Sequence, residues 1–433
     1  MNNKKIQNNL RDFYILWSTQ SLSQLGSAIT GFALTLWLYE KTGSALSTAA
    51  LTICTYAPYV VMSIFAGAIS DKFDKKKTML SCDAFAALST IVVFILYKIS
   101  LLRIWHLYAI NAVSGLMNTV QQPASEVAFT KIIPKEYYQK TGGLQSLSRS
   151  LISIGNPIIA AALYSFAGLD AAIAVDLISF AIAFTTLALF IKIPKDNEEK
   201  TVGESVLKLA KEGLKYLKQT PMILDVILFM SGVNLIASAF NAVLPAYIIP
   251  NPRGGNNMLG IISSCSGVAM LAGSLIATAS PKPKNRISLI YLSMLFSLGT
   301  ENFLLAFSRN PLLWCIGQIL GWIFVPVMST NQNVIMRNTI PGNLQGRVYA
   351  CRNTLQFFTI PIGLLTGGFL VDKVCEPFMN GCGGGSGSGQ LLTLLFGSGK
   401  GSGAALMLFI LGIAGTAHCL IFGSRLKKYK YSD

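Results

Sequence analysis

The sequence predicts an all-α membrane protein whose twelve transmembrane helices form two related six-helix halves. Three observations carry that expectation: too little charge for a soluble core, apolar runs of spanning length in close succession, and a repeat relating the halves. Of 433 residues, 52% are hydrophobic and only 12% charged, with mean hydropathy +0.52. Soluble domains carry about 25% charged residues, so half the usual charge is missing.

A helix that crosses a bilayer needs ~20 apolar residues. Runs of that kind place the first six spans at 12–38, 45–70, 78–98, 104–124, 142–166 and 171–192. The second six fall at 221–249, 257–279, 287–307, 311–335, 347–371 and 404–423. The runs are continuous, whereas strands of a membrane barrel alternate with period two, which excludes that class. Tyr14 to Leu38 is too long for the apolar region of a cleavable leader, and no small-residue cleavage site follows it.

The formal charge of +16 raises the question of nucleic acid, and its location answers it. With the N-terminus inside, the tails and the loops after even-numbered spans, with their adjoining helix ends, hold 28 of the 35 Lys and Arg. Lys72, Lys75, Lys76 and Lys77 share one such loop, and seven lysines lie between Lys192 and Lys218. That is the positive-inside bias, which predicts a multi-pass cytoplasmic-membrane protein with both termini in the cytoplasm. The partners implied are a lipid bilayer with anionic headgroups and no nucleic acid. Trp17, Trp37, Trp105 and Trp314 fit the aromatic belts at the membrane surfaces.

Six of the eight cysteines fall within spans and read as packing residues. Cys375 and Cys382 lie in the last outer loop, where an oxidising exterior would let them pair.

The halves correspond at a nearly constant offset. Gly67 and Gly273 each precede a charged loop, 206 apart; Ile133-Pro134 and Ile340-Pro341 are 207 apart; Pro157 and Pro361 are 204 apart. A six-helix repeat preserves orientation, so the halves are parallel copies about an axis along the membrane normal. The expected division is 1–192 for the first bundle, 193–220 for a cytoplasmic linker and 221–433 for the second bundle with its basic tail. Val202 to Leu217 in the linker sets apolar residues at three- and four-residue intervals among lysines, the pattern of an amphipathic helix.

The sharpest motif is Gly67-Ala-Ile-Ser-Asp71-Lys72-Phe-Asp74-Lys75-Lys76, between the second and third spans. It resembles the loop signature of the major facilitator superfamily, with Asp74 where that signature usually has glycine. Ser23-Gln-Leu-Gly26, Tyr39-Glu-Lys-Thr-Gly43-Ser-Ala45, Pro341-Gly-Asn-Leu-Gln-Gly-Arg347-Val348 and Leu395-Phe-Gly-Ser-Gly-Lys-Gly401 extend the resemblance over nearly the whole chain, toward the macrolide-efflux branch. Gly155-Asn156-Pro157 followed by Ala160-Ala161 resembles the fifth-helix antiporter motif, with alanines in place of paired glycines. The resemblance implies the major facilitator fold, a gate in which Asp71 pairs with bases or a helix terminus, and a path lined by the first, fourth, seventh and tenth spans.

Each of those four spans carries a polar stripe at helical spacing. Gln20, Gln24 and Ser27 stand on the first, Asn111, Ser114, Asn118 and Gln122 on the fourth, Asn234, Ser238 and Asn241 on the seventh, and Gln318, Trp322, Ser329 and Gln332 on the tenth. Amides facing lipid are costly, so the stripes are expected to face protein or water. A lining of amides, hydroxyls and one tryptophan suits a bulky, largely apolar ligand with scattered polar groups.

The acids within spans are Asp83, Asp176, Asp225 and Glu301, with Glu126 at the end of the fourth. Intramembrane acids are candidate proton sites by default. The resemblance puts Asp83, Asp176 and Glu301 on helices outside the cavity; the first candidates for proton coupling are Asp225, one turn into the cavity-facing seventh span, and Glu301, ~21 Å into the ninth.

Gly397-Ser-Gly-Lys400-Gly-Ser402 imitates a phosphate loop, but Leu394 and Gly401 stand where that pattern requires glycine and Ser or Thr. No cofactor, metal cluster or catalytic constellation is legible, so an enzyme is not expected. The reading is a monomeric, proton-driven exporter of bulky amphipathic molecules. The alternatives are export of a siderophore or other metabolite, and lysophospholipid flipping.

Overall fold

The computed structural model describes residues 3–72, 74–132, 138–191, 193, 206–281, 283–341, 344–382 and 388–429. Its helices in chain order are α1 (Asn3–Thr42), α2 (Ala45–Lys72), α3 (Lys75–Lys98), α4 (Ile104–Ile132), α5 (Tyr138–Leu189), α6 (Val206–Gln219), α7 (Pro221–Ile248) and α8 (Asn256–Ala279). There follow α9 (Arg286–Phe307), α10 (Pro311–Trp322), α11 (Phe324–Thr339), α12 (Gln345–Phe357), α13 (Thr359–Leu370), a π-helical turn (Val371–Cys375), α14 (Glu376–Cys382), α15 (Ser388–Phe396) and α16 (Ser402–Leu426).

Nine stretches among the described residues are long and apolar enough to cross a membrane. One of them, Ser148–Leu189, holds both the fifth and the sixth span. The first and fourth spans, α1 and α4, are long enough at 40 and 29 residues, and their polar stripes dilute their hydropathy. The tenth span divides into α10 and α11. The eleventh divides into α12 and α13 beside Pro361, which has no N–H to continue the helix.

Residues 167–170 were expected to connect the fifth and sixth spans, and α5 breaks there into two helices at Gly168 (φ 70°, ψ −170°). Only glycine occupies that region at low cost. A Cβ there would meet nothing within 4 Å, so Gly168→Ala isolates backbone strain from packing. We expect that variant to lose roughly 1–3 kcal/mol of stability, read as a lower unfolding temperature in detergent.

The chain divides into two compact units, Met1–Trp37 with Cys54–Glu204, and Leu38–Ile53 with Ser205–Asp433. In the first, α3 packs on α4 and α5, and Phe13, Leu16, Met79, Ala128, Leu187 and Ile191 form a shared apolar core. In the second, α7 packs against α13 and α16, and α9 against α10, α11 and α16. Ala49 of α2 joins Ala242 and Leu364 in this unit. Within the second unit α6 lies on α12, with the Tyr216 hydroxyl donating to the Thr339 carbonyl at 2.9 Å.

Trp105 is 60% exposed, whereas Trp314, in the first turn of α10, is fully buried. Its indole N–H donates to the Ser308 carbonyl at 2.9 Å and its ring packs edge-on against Tyr247. Cys375 is a buried free thiol, and the side chain of Cys382 lies outside the described residues.

Candidate functional site

The first unit encloses a cavity of about 540 Å³, within the range that holds small organic ligands. It follows α1 from Trp17 to Leu34, about 26 Å at 1.5 Å per residue. Gln20, Gln24, Asn111 and Asn118 all stand in its wall, with Phe85, Phe129 and Phe180 as apolar counterparts. The helical period that puts Gln20, Gln24 and Ser27 on one face of α1 also aims them together. On α4, Asn111 accepts from Thr55 of α2 at 3.1 Å and donates to the Leu107 carbonyl at 2.9 Å.

Two acids of α3 and α5 also line this first-unit cavity. Asp83 of α3 accepts from the amide of Gln20 at 3.2 Å and from that of Gln121. Asp176 of α5 accepts from Ser27 at 2.9 Å and Thr90 at 3.1 Å. Gly26 lets α1 approach α5 so closely that a Cβ would lie 3.0 Å from the Asp176 Cα. That approach turns the carboxylate toward the polar stripe. An acid in mid-span flanked by Ser and Thr at helical spacing was the available sequence signal, but it does not give the helix rotation.

The second unit gathers three further candidates. Glu301 of α9 is 5% exposed and accepts from the Trp322 indole at 3.1 Å. Gln318, in the amide orientation its neighbours dictate, donates to Glu301 at 3.2 Å and accepts from Trp322 at 3.0 Å. Gly321 makes room, since a Cβ there would come within 2.4 Å of the carboxylate. Asn234 donates to the Gln356 carbonyl at 2.9 Å, while Asn241 is exposed.

Asp225, 1% exposed, is held from the chain's far end. Arg425 contacts it at 2.8 and 2.9 Å and the Tyr429 hydroxyl donates at 2.8 Å. This geometry pins the C-terminal segment to the start of α7. We expect Arg425→Ala to lower stability by roughly 1–3 kcal/mol by leaving a buried carboxylate short of donors. Most of that loss should return in the Asp225→Asn, Arg425→Ala double variant, measured by thermal unfolding in detergent.

Of the loop motif, Gly67, Asp71 and Lys72 continue the backbone of α2, and the side chains of residues 63–73 lie outside the described set, as do those of Gln122 and Glu126. Asp74 accepts from the Lys77 amide at 3.0 Å and so caps α3, which gives an acid a use at the signature's glycine position. Lys75 is buried. Lys76 donates to the Ala188 and Ile191 carbonyls at 2.9 and 2.8 Å, closing the end of α5. Gly155 and Pro157 lie within α5, where a Cβ on Gly155 would meet only its own helix's Ile159 at 3.6 Å.

The imitation phosphate loop is a helix N-terminus already filled by protein: Glu376 accepts from the Gly401 and Ala404 amides at 2.9 and 3.2 Å. Among the described residues, no three His, Cys, Asp or Glu side chains cluster as metal ligands would.

A family model described as Major Facilitator Superfamily matches residues 16–364. Macrolide efflux protein A of Streptococcus pyogenes is 26% identical over 366 residues, covering 84% of this chain and 90% of its own length. The multidrug efflux pump Tap of Mycolicibacterium fortuitum is 22% identical over 358 residues, covering 80% and 86%. A crystal structure of a bacterial homologue of the iron transporter ferroportin, in its inward-facing state, superposes with a TM-score of 0.69 at 15% identity, covering 96% of this chain and 99% of that one.

Proposed function

Because the chain belongs to the major facilitator superfamily, we propose that it is a secondary active exporter of bulky amphipathic small molecules, exchanging them for protons across the cytoplasmic membrane. The observation that carries this reading is the first unit's cavity. About 540 Å³ bounded by amides, hydroxyls and aromatic rings accepts an apolar frame with a few dispersed polar groups. The similarity to a macrolide and a multidrug efflux protein supports the same substrate class. Both termini lie in the cytoplasm on the charge bias of the loops. Asp71 and Lys75 act in the inner gate, and alternating access moves the ligand.

The test is efflux from a pump-deficient bacterium that expresses the chain, with a panel of macrolides, cationic dyes and a catecholate siderophore, with and without a protonophore. Protonophore-sensitive extrusion of a macrolide or dye is the expected result. Extrusion of the siderophore alone would move the assignment to a dedicated metabolite exporter. A chain that reaches the membrane and moves nothing on the panel would overturn the reading.

A further inference from the structure

The wall of the first unit's cavity contains two carboxylates with no basic partner among the described residues. Asp83 and Asp176 are 8% and 4% exposed, and each is held by neutral donors alone, amides for Asp83 and hydroxyls for Asp176. Along α1 their partners Gln20 and Ser27 are seven residues apart, two turns or about 10 Å. Gln24 stands between them in the same wall.

The other charged groups nearby do not neutralise this pair. α1 carries no charged residue from Phe13 to Tyr39. Among the described residues lining the cavity, Arg149 of α5 is the remaining charged side chain; it is exposed and pairs with neither acid. Cys82 is the neighbouring thiol on α3. At the far end of α3, Lys98 is engaged by Asp170 at 2.6 Å. A carboxylate in such a place either keeps its proton or takes a cation.

We propose that Asp83 and Asp176 are two stations of one cation path along α1, each holding in alternation a proton and the ammonium or other monocationic centre of the transported ligand. The proposal rests on proton-coupled export and narrows its substrates to amphipathic monocations. When the cation reaches a station, the carboxylic O–H bond breaks, the proton passes to cavity water, and the carboxylate so formed faces the ligand's charge. The reverse transfer releases the ligand. Hydroxyl and amide donors suit this exchange because they hydrogen-bond to the anion without competing as counter-ions.

The test uses the purified full chain in detergent and tetraphenylphosphonium, whose charge does not titrate. Calorimetric titration in phosphate and in Tris, which differ in protonation enthalpy, reads the protons released on binding. Wild type should bind with net proton release that fades as pH rises, and Asp83→Asn and Asp176→Asn should each lower both that release and the affinity, the latter by about tenfold or more. If either Asn variant fails to fold, the Asp→Glu variant at that site replaces it. Weaker binding with proton release retained then supports the proposal, and unchanged binding overturns it. Binding without proton release, at equal affinity in wild type and both Asn variants, would also overturn it. Linked proton release in protein that exports nothing from cells would leave the stations standing and remove the exporter reading instead.

Discussion

An Asp372→Ala variant is expected to lose the first turn of α2 and, with it, most transport. Asp372 stands in the π-helical turn after α13 and accepts from the Ser44 hydroxyl at 2.6 Å, the Ala45 amide at 3.1 Å and the Leu46 amide at 2.9 Å. These amides are among the N-terminal donors of α2, which have no partner in their own helix. One carboxylate therefore satisfies them and opposes the positive end of the helix dipole. Four residues on, Glu376 does the same for α16. Bonds to a charged acceptor contribute ~1.5–3 kcal/mol each and do not add fully, so removing three should cost roughly 3–5 kcal/mol. Hydrogen exchange at residues 44–48 reads the loss directly. Protection unchanged from wild type would show that Asp372 does not hold this turn.

Gly115→Leu is expected to abolish accumulation of folded protein. A Cβ at Gly115 would lie 2.2 Å from the Thr55 carbonyl oxygen and 3.0 Å from its carbon, and neither backbone atom can rotate aside. Small residues at such points are what allow two membrane helices to touch. Gly363, whose Cβ would meet the Leu235 carbonyl oxygen at 2.2 Å, makes the equivalent approach in the second unit. Gly31, with open space around it, is the control: Gly31→Ala should leave the yield of monodisperse protein unchanged. A Gly115→Leu variant eluting as wild type does would mean that α2 and α4 can separate without loss.

These points mark the boundary of what the residues alone convey. The polar stripes of α1 and α4 were legible because amides at a 3.6-residue period have few places to go in a bilayer. The companions of those stripes were not. That Asp83 and Asp176 meet them depends on how far α3 and α5 rotate about their axes, and apolar helices flanked by lipid and protein leave that rotation unmarked. Asp225 shows a different limit: its partners are about 200 positions away, and ordinary tail residues such as Arg425 and Tyr429 carry no sign of their destination. Glu301, Gln318 and Trp322 were each visible as polar residues in apolar runs. Their convergence depends on Gly321, which read as one glycine among 38.

The tight turn at Gly168 also bears on how the chain is made. A polar connection normally tells the insertion machinery where one span ends and the next begins. Here about 40 residues emerge with Asp170 and Asp176 as their only acids, and Asp170 pairs with Lys98 at the end of α3. The fifth and sixth spans are therefore expected to enter the bilayer together as a hairpin whose tip is the turn at Gly168. A tag or glycosylation site inserted at 168 would have only a tight turn to occupy and is expected to interrupt biogenesis rather than report on topology.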